Sequence, residues 1–152
     1  MSEELSPLER AAIDALLAGE HPVLAALREQ SEDCRFKRRE PTGVGIFTYV
    51  DVDRRRHAPA SNRPRIVLSD VNAELPGLAH GAGFLLFVVD GYIDNLEACT
   101  YGETWPEAEI GYWKFSYLRP AGSGNYHGVG PARDVEYLAR FDLRGATPPR
   151  SP

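Results

Sequence analysis

Asp70, Asn72 and Glu74 alternate along the chain, and in a strand that spacing sets all three side chains on one face. Three oxygen-bearing groups in a row can hold a hard cation, attract a basic partner or position a hydroxyl-rich ligand. A calcium loop is excluded, since its turn-forming glycine and terminal glutamate are missing. A solvent-facing polar stripe on a one-sided sheet gives the same pattern. Glu97 is more unusual, because it lies beside the most apolar segment of the chain and is expected opposite Phe84. A carboxylate placed there is either raised in pKa by desolvation or paired with a cation. The first state suits a general acid or base; the second is an ordinary structural ion pair.

Aromatic residues supply the next signal. Tyr101, Trp105, Tyr112, Trp113, Phe115 and Tyr117 crowd a short stretch, and Trp105-Pro106 falls in a link between strands, where full burial is hard. Exposed Tyr101 and Trp105 beside carboxylates would make an anchor for a partner protein with a polar rim. His21, His57, His80 and His127 follow no zinc spacing, and His21 and His57 read as solvated. His80-Gly81-Ala82-Gly83 lacks the Gly-x-Ser-x-Gly elbow that an α/β-hydrolase requires. Gly122-Ser123-Gly124 is not followed by a helix start with phosphate-binding spacing. Cys34 and Cys99 belong to no C-x-x-C pair and read as small buried thiols. No metal or cofactor is expected.

These side chains must be held by an identifiable set of elements. Ser6-Pro7-Leu8-Glu9 is a helix start with a capping box, and Leu8, Ala12, Ile13, Leu16 and Leu17 recur at helical spacing up to Gly19. Pro22 opens a second helix carrying Val23, Leu24 and Leu27. Strands are then expected at 34–39, 44–52, 65–74, 84–89, 92–101 and 110–118. In the third of these, Val67, Val71 and Ala73 are assigned to the core. Asp90-Gly91 predicts a two-residue type I′ turn that sets Val89 against Tyr92, Phe87 against Asp94 and Leu85 against Leu96. Residues 53–64 form an arginine-rich loop and 121–131 a flexible glycine-rich one. Val135, Leu138 and Phe141 fit a short helix or an edge strand. Strands without intervening helices exclude a parallel βαβ sheet. The expected fold is α+β: an N-terminal helical pair packed on a curved antiparallel meander of five or six strands. It forms a single domain over 1–144, with a disordered tail at 145–152.

Composition limits the function. The 152 residues are 43% hydrophobic and 26% charged, a share that supports one folded core. Lys and Arg total 17 against 22 Asp and Glu, a net charge of −5 that disfavours nucleic acid as a partner. The acidic start has no signal-peptide pattern, and the longest apolar run, Phe84–Val89, is far short of the roughly 20 residues of a membrane span, so a cytoplasmic protein is expected.

The stretch from Gly83-Phe-Leu-Leu-Phe-Val-Val-Asp-Gly91 through Asn95-Leu-Glu97 to Thr100-Tyr-Gly-Glu-Thr-Trp-Pro106 resembles short bacterial proteins that have no assigned activity. The resemblance implies a family and transfers no site residue. The favoured reading is a non-enzymatic module that binds another protein, one form being an immunity-type partner that neutralises a basic toxin. Self-association through a sheet edge is a further expectation. The alternative is a small-molecule binder or hydrolase-like enzyme with Asp70, Glu74 and Glu97 in a sheet cleft and His80 as base.

Overall fold

A computed structural model describes residues 3–120 and 126–149. Ser6 caps the first helix, α1 (Pro7–Leu16): its hydroxyl accepts from the Glu9 amide at 3.1 Å and the Glu9 carboxylate accepts from the Ser6 amide at 2.7 Å. The second helix, α2 (Pro22–Asp33), is capped by His21, whose Nδ1 accepts from the Val23 amide at 3.1 Å. His21, expected to be solvated, is therefore a cap, and burial lowers its pKa so that Nδ1 remains an acceptor.

Seven strands follow: β1 (Arg35–Pro41), β2 (Gly45–Asp51), β3 (Arg65–Glu74), β4 (Ala82–Val89), β5 (Tyr92–Thr100), β6 (Lys114–Pro120) and β7 (Tyr126–Gly130). All neighbours pair antiparallel, in the spatial order β1-β2-β5-β4-β3-β6-β7. The α+β class with a helical pair on an antiparallel sheet is as the sequence implies. The path is not a plain meander, because β5 returns to lie between β4 and β2. The extra strand, β7, occupies part of the stretch expected as a flexible loop. Gly122-Ser123-Gly124 lies outside the described residues.

Both helices lie on one face of the sheet, with α1 against β3 and β4 and α2 against β5. Ile13, Leu16, Leu24 and Leu27 are fully buried against Ile66, Leu68, Phe84 and Leu86. Truncating any of these leucines to alanine costs about 2–5 kcal/mol. At the β4–β5 hairpin, Asp90 has φ 52° and Gly91 φ 83°, the left-handed pair that a type I′ turn needs. Gln30 of α2 holds this turn: its Nε2 donates to the Gly91 carbonyl at 2.9 Å and its Oε1 accepts from the Ile93 amide at 3.1 Å.

The C-terminal segment is more ordered than expected. Val135–Arg140 forms a short helix, α3, with Leu138 buried and Phe141 exposed. Beyond it, Leu143 and Ala146 are buried, and the Asn62 amide donates to the Thr147 carbonyl at 3.0 Å. Of the tail expected over 145–152, Ala146 is thus buried and Thr147 pairs with Asn62 ahead of β3, while residues 150–152 lie outside the described ones. Asp142 reaches β3 itself, accepting from the Ser69 amide at 3.3 Å.

Two buried ion pairs tie sheet to helices. Arg133 bonds the Asp70 carboxylate through Nε at 2.9 Å and Nη2 at 2.7 Å, while its Nη1 donates to the carbonyls of Leu16 at 2.7 Å and Ala18 at 2.8 Å. Glu9 accepts from Arg39 Nε at 2.9 Å and from the Thr48 hydroxyl. Two predictions follow from these pairs. Arg133→Met is expected to cost about 3–5 kcal/mol by urea unfolding, because Asp70 is left buried and unpaired. Burial works to raise the Glu9 pKa, but the bonds from Arg39, Ser6 and Thr48 and the charge of Arg39 outweigh it and hold the carboxyl below its ordinary 4.5. The folded value is the lower one, so this stability is present above the unfolded value and is lost as pH falls through the folded one. Urea midpoints recorded below pH 4.5 are expected to decline less steeply in Glu9→Gln than in the parent.

Candidate functional site

The face of the sheet opposite the helices carries the candidate site, and two β-bulges decide which residues reach it. In β5 the register steps by one residue between Val88–Ile93 and Phe87–Asn95. Val89 opposes Tyr92 as expected, but Phe87 then opposes Asn95, Leu85 opposes Glu97 and Phe84 opposes Ala98. The surplus residue is Asp94. The placements of Phe87 against Asp94, Leu85 against Leu96 and Glu97 against Phe84 are corrected accordingly. A one-residue slip exchanges the faces of everything beyond it. Glu97 therefore leaves the helix side and stands on the outer face between Leu85 of β4 and Phe47 of β2.

The second bulge lies in β3, between Leu68 and Val71. It breaks the alternation that would have kept Asp70 in line with Asn72 and Glu74. Asp70 is buried and bonded to Arg133 on the helix side. Asn72 stays on the outer face and Glu74 is exposed at the strand end, opposite Lys114 of β6. The same step puts Val67 on the outer face, beside Phe87, while Val71 and Ala73 face the core as expected.

Tyr101 is half exposed, and its hydroxyl donates to Asn72 Oδ1 at 2.7 Å. Gly83 makes this reach across β4 possible, since a Cβ there would lie only 3.1 Å from the hydroxyl. Trp105 does not project as an anchor. It is half-buried against the core, and its amide donates to the Gly43 carbonyl at 2.8 Å. His80 is exposed, its amide donating to Glu103 at 3.1 Å. Of the predicted site residues, Asn72, Glu97 and Tyr101 thus share one face, with Glu74 exposed at its margin; Asp70 and Trp105 do not join them.

Apolar side chains fill the rest of that face. Phe47, Tyr49, Val67, Leu85 and Phe87 are half-buried on it, and no described helix packs against it. The Arg38 guanidinium lies 3.8 Å from the Tyr49 ring centre and that of Arg65 lies 5.4 Å from Phe87, so the aromatic surface is rimmed by cations. Asn95 sits between Tyr49 and Phe87 in the register; its Nδ2 donates to Asp94 at 2.8 Å while its buried Oδ1 has no donor. Strict alternation along the expected 44–52 strand sets Phe47 and Tyr49 on one face, but the sequence assigns them no role. Alternation in β2 was the available signal.

In the arginine-rich loop the charges are largely matched internally. His57, expected to be solvated, has Nε2 2.7 Å from Asp33 Oδ1, and Arg56 reaches Asp33 at 2.9 Å. Arg54 stacks on Tyr92 at 4.4 Å and Arg63 donates to the Asp142 carbonyl at 2.9 Å. The arginine loop is therefore largely bound to its own protein. A cavity of about 460 Å³ beside it is lined by Asp33, Asp51 and Asp53 as well as Arg35, Arg55 and Arg56, a mixed lining rather than an anion cradle. Cys34 and Cys99 are free thiols whose pKa values are pushed up, chiefly by burial, the opposite of an activated nucleophile. Among the described residues no cluster of His, Cys, Asp and Glu is placed to hold a metal ion, and no helix is long and apolar enough to cross a membrane.

Burial raises the Glu97 pKa. Since the folded value is the higher one, the neutral form is favoured by folding, and stability is lost as pH rises through the folded value. Glu97→Gln is expected to remove that loss and to be modestly stabilising at pH 7, on the order of 0.5 kcal/mol. Paired urea melts at pH 4 and pH 7 check it; a destabilised variant at pH 7 would contradict the desolvation argument. No family model, no curated protein and no solved structure matches this chain, so its function is argued from this geometry.

Proposed function

We propose that this protein is a non-enzymatic interaction module that docks a protein partner on the helix-free face of its sheet. The observation that carries the reading is the outer-face set Phe47 and Tyr49 on one side of Asn95 and Glu97, and Leu85, Phe87 and Val67 on the other, with no described helix packed over it and rimmed by Arg38, Glu40 and Arg65. Apolar patches with polar rims mark interaction sites on soluble proteins. Large aromatic side chains there supply contact area at low entropic cost.

The net charge of −5 favours a basic partner by steering encounter, which suits an immunity-type module that neutralises a basic toxin. The alternative of a hydrolase-like cleft needed Asp70, Glu74, Glu97 and His80 to converge. Asp70 is instead buried on the helix side in its bond to Arg133, which takes one of the needed carboxylates out of any cleft on the outer face and argues against that reading. Nucleic acid is disfavoured by the same acidic charge and by the internal use of Arg54, Arg56 and Arg63.

Photo-crosslinking amino acids placed singly at Tyr49, Phe87 and Glu29 test the face directly. Glu29 is exposed on α2, on the opposite side of the molecule. In native cells, one discrete adduct is expected from positions 49 and 87 and none from 29. Adducts from position 29 alone, or from none, would refute the docking face.

A further inference from the structure

The uncovered face contains one group whose surroundings are incomplete. Among the described residues, eight carboxylates are buried or half-buried: Glu9, Asp33, Asp70, Asp94, Glu97, Glu103, Asp134 and Asp142. Seven of them accept hydrogen bonds. Glu9 has Arg39, Asp33 has Arg56, Asp70 has Arg133, and Asp94 has the Asn95 amide. Glu103 accepts from the Ala79 and His80 amides, Asp134 from the Tyr137 amide, and Asp142 from the Ser69 amide. Glu97 alone has no donor and no cation.

Its position makes that exception costly. A carboxylate between Phe47 and Leu85 has lost part of its water without gaining a counter-charge. Two residues before it, the Asn95 Oδ1 is buried without a donor, in a residue only 8% exposed. Period two places both acceptors on the same face of β5. The unmet acceptors therefore form a short row, walled by Phe47 and Tyr49 on one side and Leu85 and Phe87 on the other. The charged groups around this row are Asp94, which accepts from the Asn95 amide, Arg38 and Glu40 on β1, and Arg65 on β3. Arg38 is engaged with Glu40 at 3.0 Å and Arg65 with the Phe87 ring. Neither supplies Glu97.

We propose that Glu97 is the anchor point for an arginine side chain of a protein partner, inserted between the Phe47–Tyr49 and Leu85–Phe87 walls. A guanidinium is the donor that fits. Its planar fork pairs with a carboxylate through two N–H groups and leaves others for a neighbouring acceptor such as Asn95 Oδ1. Its weak hydration and flat faces suit aromatic walls, and the rings of this face already lie against the guanidinium groups of Arg38 and Arg65. The partner's chemistry is thereby specified as an arginine flanked by apolar residues, on a protein whose basic surface matches the acidic charge of this one. This inference rests on the docking face proposed above and adds the group that selects its occupant.

The probe is a short blocked peptide with one arginine between two leucines, compared with the same peptide carrying neutral citrulline. Titration of the labelled full-length protein by NMR, following the Asn95 side-chain amide and the Glu97 carboxyl carbon, gives site and affinity together. The expected result is perturbation at both residues, with binding weakened at least about tenfold by citrulline and by Glu97→Gln, and unchanged in Glu29→Gln. Equal binding of both peptides on this face would overturn the arginine anchor and leave the docking face standing. Binding confined to the arginine loop or the helices, or no binding, would overturn the anchor, and the crosslinking result then decides the face separately. Concentration-dependent dimerisation that buries Glu97 would also overturn it, assigning the face to a second copy of the chain.

Discussion

The guanidinium of Arg133 joins three parts of the chain that are far apart in sequence. One side of it is occupied by the Asp70 carboxylate of β3, and the other by the carbonyls that end α1. A helix leaves its last carbonyls without intrahelical donors, and burying that end demands donors from elsewhere. Arg133 supplies them, and Tyr117 adds one more by donating its hydroxyl to the Ala15 carbonyl at 2.7 Å. The charge brought into the interior is balanced by Asp70, both side chains being under 5% exposed. The angle at which α1 meets the sheet is set by this junction, and with it the depth of the core beneath Ile13 and Leu16. The bulge in β3 exists in register with it, because only a surplus residue turns Asp70 toward the helix.

On the helix side, then, every deeply placed charge is answered. Arg39 answers Glu9, Arg133 answers Asp70, and the amide of Ser69 meets Asp142. The outer face follows a different rule. Its apolar rings are half covered, its cations lie on rings at the rim, and its central carboxylate faces solvent between hydrophobic walls. Compensated and uncompensated charge are thus divided between the two sides of one sheet. Desolvation that folding does not compensate is the kind of local conflict that marks a functional surface.

Local signals in the chain were read successfully wherever a few adjacent residues decide the conformation. The capping box of Ser6 and Glu9, Pro22 at the start of α2, and the left-handed pair Asp90-Gly91 all hold in the structure. The same was true of the first five strands and of their antiparallel pairing, whereas the sixth begins only at Lys114 and β7 falls in a stretch read as loop. What was not read were the two bulges, although at each a polar pair, Asp94-Asn95 between Ile93 and Leu96 and Ser69-Asp70 between Leu68 and Val71, breaks the alternation that defines a strand. Missing them reversed the side assigned to Glu97 and aligned Asp70 with residues it does not join. Arg133 was equally hidden, because its carboxylate lies 63 residues earlier in the chain. Asn72, Glu97 and Tyr101 were found, but for a grouping that only the register explains.

The margin of the sheet at β1 imposes a last condition on how the molecule meets others. Arg35, Lys37, Arg38, Arg39 and Glu40 crowd this outermost strand, and Pro41 ends it with a residue that has no N–H to offer. Another chain seeking to extend the sheet there would meet charge and a missing donor instead of a free ladder. Recognition on this side of the protein must therefore read side chains standing on the pleat rather than backbone at its border. The same fringe of charge protects the molecule, at β1, from being stitched to its neighbours into a continuous ribbon.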